Sequence, residues 1–255
     1  MKLLVYGSSR LLKLYKKLKE LNWDVTVVTK GSRSGFTTFS YKREGINFVE
    51  IGYSSGKFLG SREFTKFLEK ISDNYDLIYF GKYTPPLYND IPPYNLRTSS
   101  PVIYCIHGPL FIRVPSRASY HVYNAYSLIR LPLFKILKIY NAFRVLNYDD
   151  YIIFKKLKFK AYYIPQGVDT ELFKPTDKKY EQFTVSFVGS TFCKGIDFMD
   201  EIISKVISKA QDIRFLLING GFASGYKRIL LRKYQGNVIS LPRMPQSKFS
   251  KVLSR

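Results

Sequence analysis

The first thirty residues alternate between strand-like and helix-like patterns, and this alternation constrains the fold more than any other feature of the chain. Lys2 to Tyr6 is a short apolar run that ends at Gly7. From Arg10 the apolar residues fall at Leu11, Leu14/Tyr15, Leu18 and Leu21, a helical spacing, while Lys13, Lys16, Lys17 and Lys19 fill much of the other face. Asn22-Trp23 closes the helix, and Asp24 to Thr29 reads as a second strand rich in β-branched residues. A βαβ unit of about thirty residues has parallel strands and a right-handed crossover.

The pattern continues. Gly45 to Ile51 reads as a strand, 52–61 as a Gly- and Ser-rich loop, 62–74 as a helix, and Asp76 to Phe80 as a strand stopped by Gly81. A long loop over 82–100 holds four prolines, and Pro101 to Ile106 is a buried strand ending at His107-Gly108. Over 127–140, Leu133, Ile136, Leu137 and Tyr140 share one face, with Arg130, Lys135 and Lys138 near the other. That is an amphipathic helix, read either as a cover for the sheet or as a membrane-surface helix. Val145 to Phe154 reads as a strand or a short helix, and Lys160 to Ile164 as a strand. A second unit then begins: strand Thr184 to Val188 ending at Gly189, a helix carrying Ile196, Met199, Ile203, Val206 and Ile207, strand Ile213 to Ile218 ending at Asn219-Gly220-Gly221, a basic helix over 225–234, strand Asn237 to Leu241, and the first turn of another helix. Strands alternating with helices imply a doubly wound α/β fold, in which ligands bind at the carboxyl ends of the strands.

The 255 residues carry 41 Lys+Arg against 19 Asp+Glu, a net charge of +22. This favours anionic partners: nucleic acid, an anionic membrane surface or a phosphorylated substrate, against the plain alternative of a solvated basic surface. A hydrophobic fraction of 45% excludes a disordered chain, and two cysteines exclude a disulfide-stapled scaffold. No apolar run is long enough for a transmembrane helix. The opening apolar run breaks at Gly7-Ser8-Ser9-Arg10, so it reads as a strand and not as an export signal. The expected location is cytoplasmic, peripheral to the membrane face if the membrane-surface reading holds. Neither an Asp-x-Asp motif, a His/Cys ligand cluster nor a G-x-G-x-x-G fingerprint is present, so no metal and no nicotinamide cofactor are expected. Asp149-Asp150 reads as a loop or helix-cap pair, Cys105 as a buried packing residue, and Cys193 as an exposed, reactive one.

The most informative segment is Tyr163-Ile164-Pro165-Gln166-Gly167-Val168-Asp169-Thr170-Glu171-Leu172-Phe173-Lys174-Pro175. It resembles the interdomain signature of the family 4 retaining glycosyltransferases (glycosyl transferases group 1), I-P-N-G-V-D-x-x-x-F-x-P, with Gln166 in place of Asn. Phe187-Val188-Gly189-Ser190-Thr191-Phe192-Cys193-Lys194-Gly195-Ile196-Asp197 resembles the next family motif. Asn219-Gly220-Gly221, Asn237-Val238-Ile239 and the strand Val102 to Gly108 fall where that family places further strand ends. The resemblance implies the GT-B type: an α/β, Rossmann-like acceptor-side domain over 1–164, a linker over 165–182 and a partial, Rossmann-like nucleotide-sugar-binding domain over 183–255. It further implies transfer of a hexose from a nucleoside diphosphate sugar to an acceptor hydroxyl of a glycan or lipid-linked molecule, with retention. On the resemblance, His107 reaches toward the transferred sugar, and Gly7, Gly189, Ser190, Lys194, Gly195, Gly220 and Gly221 line the donor site. A glycine after a strand admits a diphosphate, the following helix N-terminus attracts it, and a lysine neutralises it as it departs. The plainer readings are a loop histidine, a surface lysine and tight-turn glycines.

Three departures stand out. Ser190 replaces the family's Arg, Gly7-Ser8-Ser9-Arg10 replaces its Gly-Gly loop, and the sequence stops at Arg255, where the family continues through a paired-glutamate motif. The expectation is therefore a truncated chain, with a second polypeptide completing the C-terminal domain as a further partner. The alternatives are a non-catalytic or split-enzyme subunit with this fold, and a basic nucleic-acid-binding protein, the last resting on charge alone.

Overall fold

The computed structural model describes residues 1–7, 11–30, 37–52, 62–81, 96–106, 140–177, 179–189, 195–218 and 224–254. The chain divides into two compact units. Described residues of the first fall within Met1–Phe111 and Ser127–Gln166, and those of the second within Gly167–Arg255.

The first unit is built on strands β1 (Lys2–Tyr6), β2 (Asp24–Lys30), β3 (Thr38–Arg43), β4 (Ile46–Ile51), β5 (Leu77–Phe80), β6 (Val102–Ile106), β7 (Ala142–Val145) and β8 (Ala161–Tyr163). They form one sheet in the order β3-β4-β2-β1-β5-β6-β7-β8. All neighbours are parallel except β3 and β4. Helices α1 (Leu12–Glu20), α2 (Arg62–Ser72) and α3 (Tyr148–Lys156) accompany the sheet. The chain first builds outward from β1 through β2 to β4, then returns to β5 on β1's other side. The switch point of the sheet therefore lies between β1 and β5, where a ligand crevice opens in folds of this kind.

Side chains alternate across the strands and so feed two layers. Leu4, Tyr6, Ile78, Phe80, Tyr104, Phe143 and Val145 pack with Phe64 and Leu68 of α2 and Phe154 of α3. Leu3, Val5, Val25, Val27 and Phe48 pack on the other face with Tyr15 of α1. Burying each such aromatic ring contributes about 2–3 kcal/mol. Tyr104 stacks on Tyr140 at 4.9 Å, adding a ring pair inside the first layer.

α3 shows how local chemistry sets a boundary. Asn147 Oδ1 accepts the Asp150 backbone N–H at 2.8 Å, and Asn147 Nδ2 donates to Asp150 Oδ2 at 2.7 Å. The cap, the acidic first turn and Lys155 and Lys156 in the last turn all suit the helix dipole. Asp149-Asp150 is thus a helix-start pair, as the sequence suggests.

The second unit holds β9 (Thr184–Val188), β10 (Arg214–Ile218) and β11 (Val238–Leu241), a parallel sheet in the order β11-β10-β9. A short 3-10 turn, Ile196–Phe198, leads into α4 (Met199–Ile207), with α5 (Ser224–Lys233) and α6 (Gln246–Leu253) following. Ile196, Met199 and Ile203 pack with Phe215, Leu217, Leu230 and Val238. Asp200 ties the two helices: Lys233 Nζ donates to its Oδ1 at 2.8 Å and the Tyr234 hydroxyl donates to the same oxygen at 2.7 Å.

The structure departs from the sequence reading in three places. β3 pairs antiparallel with β4 at the sheet edge, where no strand was expected. A strand at Ala142–Val145 precedes α3 where none was expected, and of the two readings of Val145 to Phe154, strand or short helix, the helix is the one found. α6 is a full helix of 8 residues and not a first turn. The amphipathic stretch 127–139 lies outside the described residues, as do Ser8, Ser9, Arg10 and Cys193.

Candidate functional site

In the first unit, the carboxyl ends of β1 and β5 meet at the switch point. Gly7 N donates to Val28 O at 3.2 Å and Gly81 N donates to Tyr6 O at 2.8 Å, so both glycines continue the sheet edge. Gly7 is required by its neighbour: a Cβ there would lie 2.7 Å from the Tyr15 hydroxyl. Tyr15 is buried beneath the strand end, and burial pushes its hydroxyl well above the usual tyrosine range, so it stays protonated. At Gly81 a Cβ would lie 2.9 Å from Cε1 of Tyr79.

Sequence reasoning did not single out Arg144. It stands on β7, in register with Cys105 of β6 and Tyr162 of β8. Its Nη1 donates to the Tyr79 hydroxyl at 3.0 Å, its Nε to Ile164 O at 3.1 Å, and its Nη2 to Pro165 O at 2.9 Å. Cys105, fully buried, is the second hydrogen-bond partner of Tyr79. Burial raises both the Tyr79 hydroxyl and the Cys105 thiol, so this network holds its protons. The one available signal was a lone arginine inside the apolar run Ala142–Val145.

The 163–175 segment has a structural account of its own. Asp169 Oδ1 accepts the Leu172 N–H at 3.2 Å, and Asp169 O accepts the Phe173 N–H at 2.8 Å, closing a turn. Phe173 then packs edge-on against Phe249 of α6 at 6.0 Å. Thr176 Oγ1 donates to Ser254 O at 2.8 Å. A Cβ on Gly167 would meet nothing within 4 Å. Beside Tyr163, Tyr148 and Tyr151 of α3 complete a cluster of three rings with centroids 5.8 to 6.5 Å apart.

In the second unit, Gly189 follows β9 and its N–H donates to Ile218 O at 3.1 Å. That bond sets Gly189 beside the end of β10. Gly195 is left-handed, with φ +77°, and caps the 3-10 turn, its carbonyl accepting the Phe198 N–H at 3.1 Å. Glycine takes this conformation without strain. Asp197, next in the turn, keeps its buried Oδ1 without a hydrogen-bond partner. The arrangement is a strand, a glycine, a five-residue connection and a glycine-capped helical entry, which suits an anion held by backbone N–H groups.

Of the site residues expected from sequence, Gly7, Gly189 and Gly195 are described. His107, Ser190, Lys194, Gly220 and Gly221 lie outside the described residues. β6 ends at Ile106, directly before His107, and β10 ends at Ile218, shortly before Gly220.

No protein-family model matches the sequence, and no curated protein sequence matches it. The structure does resemble solved ones. Sucrose-phosphate synthase from Thermosynechococcus elongatus superposes with a TM-score of 0.67 at 12% identity, over 100% of this chain and 73% of that one. The E. coli trehalose-6-phosphate structure bound with UDP-2-fluoro glucose gives 0.65 at 11% identity, over 98% of this chain and 76% of that one. An α,α-trehalose-phosphate synthase (UDP-forming) from Burkholderia xenovorans, in complex with glucose-6-phosphate, gives 0.64 at 11% identity, over 99% and 76%. At such identities the likeness speaks for architecture: the chain has an α/β fold with a mainly parallel sheet, matching GT-B glycosyltransferases.

Proposed function

We propose that this protein is a glycosyltransferase of the retaining, family 4 type, moving a hexose from a nucleoside diphosphate sugar to a hydroxyl of a glycan or lipid-linked acceptor. The observation that carries the reading is the strand end of the second unit, where Gly189 lies against Ile218 and left-handed Gly195 opens a helical entry. Two structures of like fold support it, one bound with UDP-2-fluoro glucose and one UDP-forming with glucose-6-phosphate.

In this reaction the bond between the sugar C1 and the diphosphate oxygen breaks and a bond from C1 to the acceptor oxygen forms. The acceptor's proton leaves with the diphosphate. The protein's work is positioning and stabilising the leaving group. Gly189, Gly195, Gly220 and Gly221 give the diphosphate close backbone approach, and Ser190 donates to it. Lys194 neutralises its charge, a task for which the proposal needs no metal. In the first unit, Gly7 and His107, next after β6 in sequence, are the residues assigned to the donor, His107 to its sugar.

The test is a panel of UDP-, GDP- and ADP-hexoses, with nucleoside diphosphate release followed by mass spectrometry and product anomers by NMR. An α-linked product from an α-linked donor is expected. A β-linked product refutes retention, and no release from any donor with any sugar acceptor refutes the reading.

A further inference from the structure

Three tyrosines gather where the last two strands of the first sheet end. Tyr148 opens α3 just after β7, Tyr151 stands one turn further along the helix, and Tyr163 closes β8. Ring centroids lie 5.9 Å apart for Tyr148 and Tyr151, 5.8 Å for Tyr148 and Tyr163, and 6.5 Å for Tyr151 and Tyr163. Tyr151 is partly buried against the layer under α3, while Tyr148 and Tyr163 stay 58% and 44% exposed. Helix propensity does not ask for a tyrosine at such an exposed first-turn position. Among the described residues, the three hydroxyls have no hydrogen-bond partner.

The charges of α3 decide which partner suits these rings. Asp149 and Asp150 lie in its first turn, and Lys155 and Lys156 in its last. Seven residues of helix separate Tyr148 from Lys155, roughly 10 Å along the axis. The helix N-terminus, which alone would attract an anion, is already met by the Asn147 cap and by the two acids. A chain with a net charge of +22 thus sets its exposed aromatic cluster at an acidic helix end. Phosphates of nucleic acid and anionic lipid headgroups are disfavoured there.

An uncharged sugar ring fits what remains. Its C–H face is an apolar surface for an aromatic ring to cover, and its hydroxyls both donate and accept, as the tyrosine hydroxyls do. The cluster also stands at carboxyl strand ends, the side of the sheet on which ligands of such folds bind. Four strand spacings separate β8 from β1, roughly 19 Å. The cluster is therefore well removed from the switch point. We propose that Tyr148, Tyr151 and Tyr163 form a subsite that stacks one uncharged sugar unit of the acceptor, away from its reacting end. This deepens the function proposed above and rests on it for the acceptor being a glycan. It makes that acceptor a chain of sugars rather than a single one.

The experiment is affinity electrophoresis in native gels run toward the cathode. The gels contain dextran, glycogen, mannan or galactan, with heparin as the anionic control. Retardation by at least one of the neutral glycans is expected, with no donor present. Tyr148→Ala weakens it about tenfold, with the thermal midpoint unchanged because the side chain is exposed. Tyr148→Trp, which keeps an aromatic face, retains most of it. Tyr163→Ala weakens it as well. Calorimetric binding of UDP, GDP or ADP is the same for wild type and Tyr148→Ala. Wild-type protein retarded by no neutral glycan, or by heparin alone, overturns the proposal. So does a Tyr148→Ala variant retarded as wild type. A protein that binds a nucleotide but no neutral glycan overturns this proposal and leaves the transfer reaction standing. One that binds glycan through these tyrosines but no nucleotide supports the subsite and refutes the transfer reaction.

Discussion

Arg144 reaches across β6 to Tyr79, its Nη1 donating to the tyrosine hydroxyl at 3.0 Å. The same guanidinium holds the carbonyls of Ile164 and Pro165 at 3.1 and 2.9 Å. One side chain therefore ties β5 to the residues with which the chain leaves the first unit. A planar guanidinium with several fixed donors can do this, and a lysine ammonium cannot hold all three directions.

Replacing Arg144 removes all three bonds. Arg144→Met is expected to lower the unfolding free energy by about 2–3 kcal/mol, and Arg144→Lys by roughly half of that. Urea titration measures the loss, and amide exchange at Gln166 and Gly167 should quicken in both variants. A Met variant as stable as wild type would show that the bonds carry nothing.

Gly7 and Gly167 should behave oppositely. Gly7→Ala drives a methyl to 2.7 Å from the buried Tyr15 hydroxyl and is expected to cost about 1–3 kcal/mol. Adding Tyr15→Phe removes the clashing oxygen and should restore part of the loss. Gly167→Ala meets nothing within 4 Å, so its thermal midpoint should match wild type.

Gly195→Ala places a β-carbon at φ +77° and is expected to cost about 1–2 kcal/mol. Gly195→Asn, which tolerates that conformation better, should cost less. Thermal unfolding of the two variants provides the comparison.

Acid should weaken the α4–α5 tie. Hydrogen bonds from Lys233 and then from Tyr234 hold the Asp200 carboxyl below its ordinary 3.8. A carboxyl lowered in the folded state adds stability that is fully present above the unfolded value and disappears as pH falls through the folded one. Stability should therefore drop as pH goes below about 4, and Asp200→Asn should remove that part of the slope while leaving the rest of the profile.

Much of the fold was legible because parallel strands are short apolar runs broken by glycine. β1, β9 and β10 stand almost where the runs Lys2 to Tyr6, Thr184 to Val188 and Ile213 to Ile218 put them. β3 escaped because an edge strand packs one side only. Thr38, Ser40 and Lys42 are polar, and only Phe39 and Tyr41 mark the alternation. β7 escaped because four residues with an arginine among them make a weak strand signal, and Arg144 finds its partners only across the sheet. The strand ends beside Gly7, Gly81 and Gly189 could be placed from sequence. The Arg144 network and the orphaned Asp197 oxygen could not, since both depend on which residues the sheet brings together.

The most direct measurement is calorimetric titration of the protein with UDP, GDP and ADP, repeated with Lys194→Met. The account predicts that one of the three binds and that the substitution weakens it at least about tenfold, with the thermal midpoint unchanged. Binding unaffected by Lys194→Met would contradict the placement of the donor at the Gly189–Gly195 connection, and no binding of any nucleotide would contradict the account as a whole.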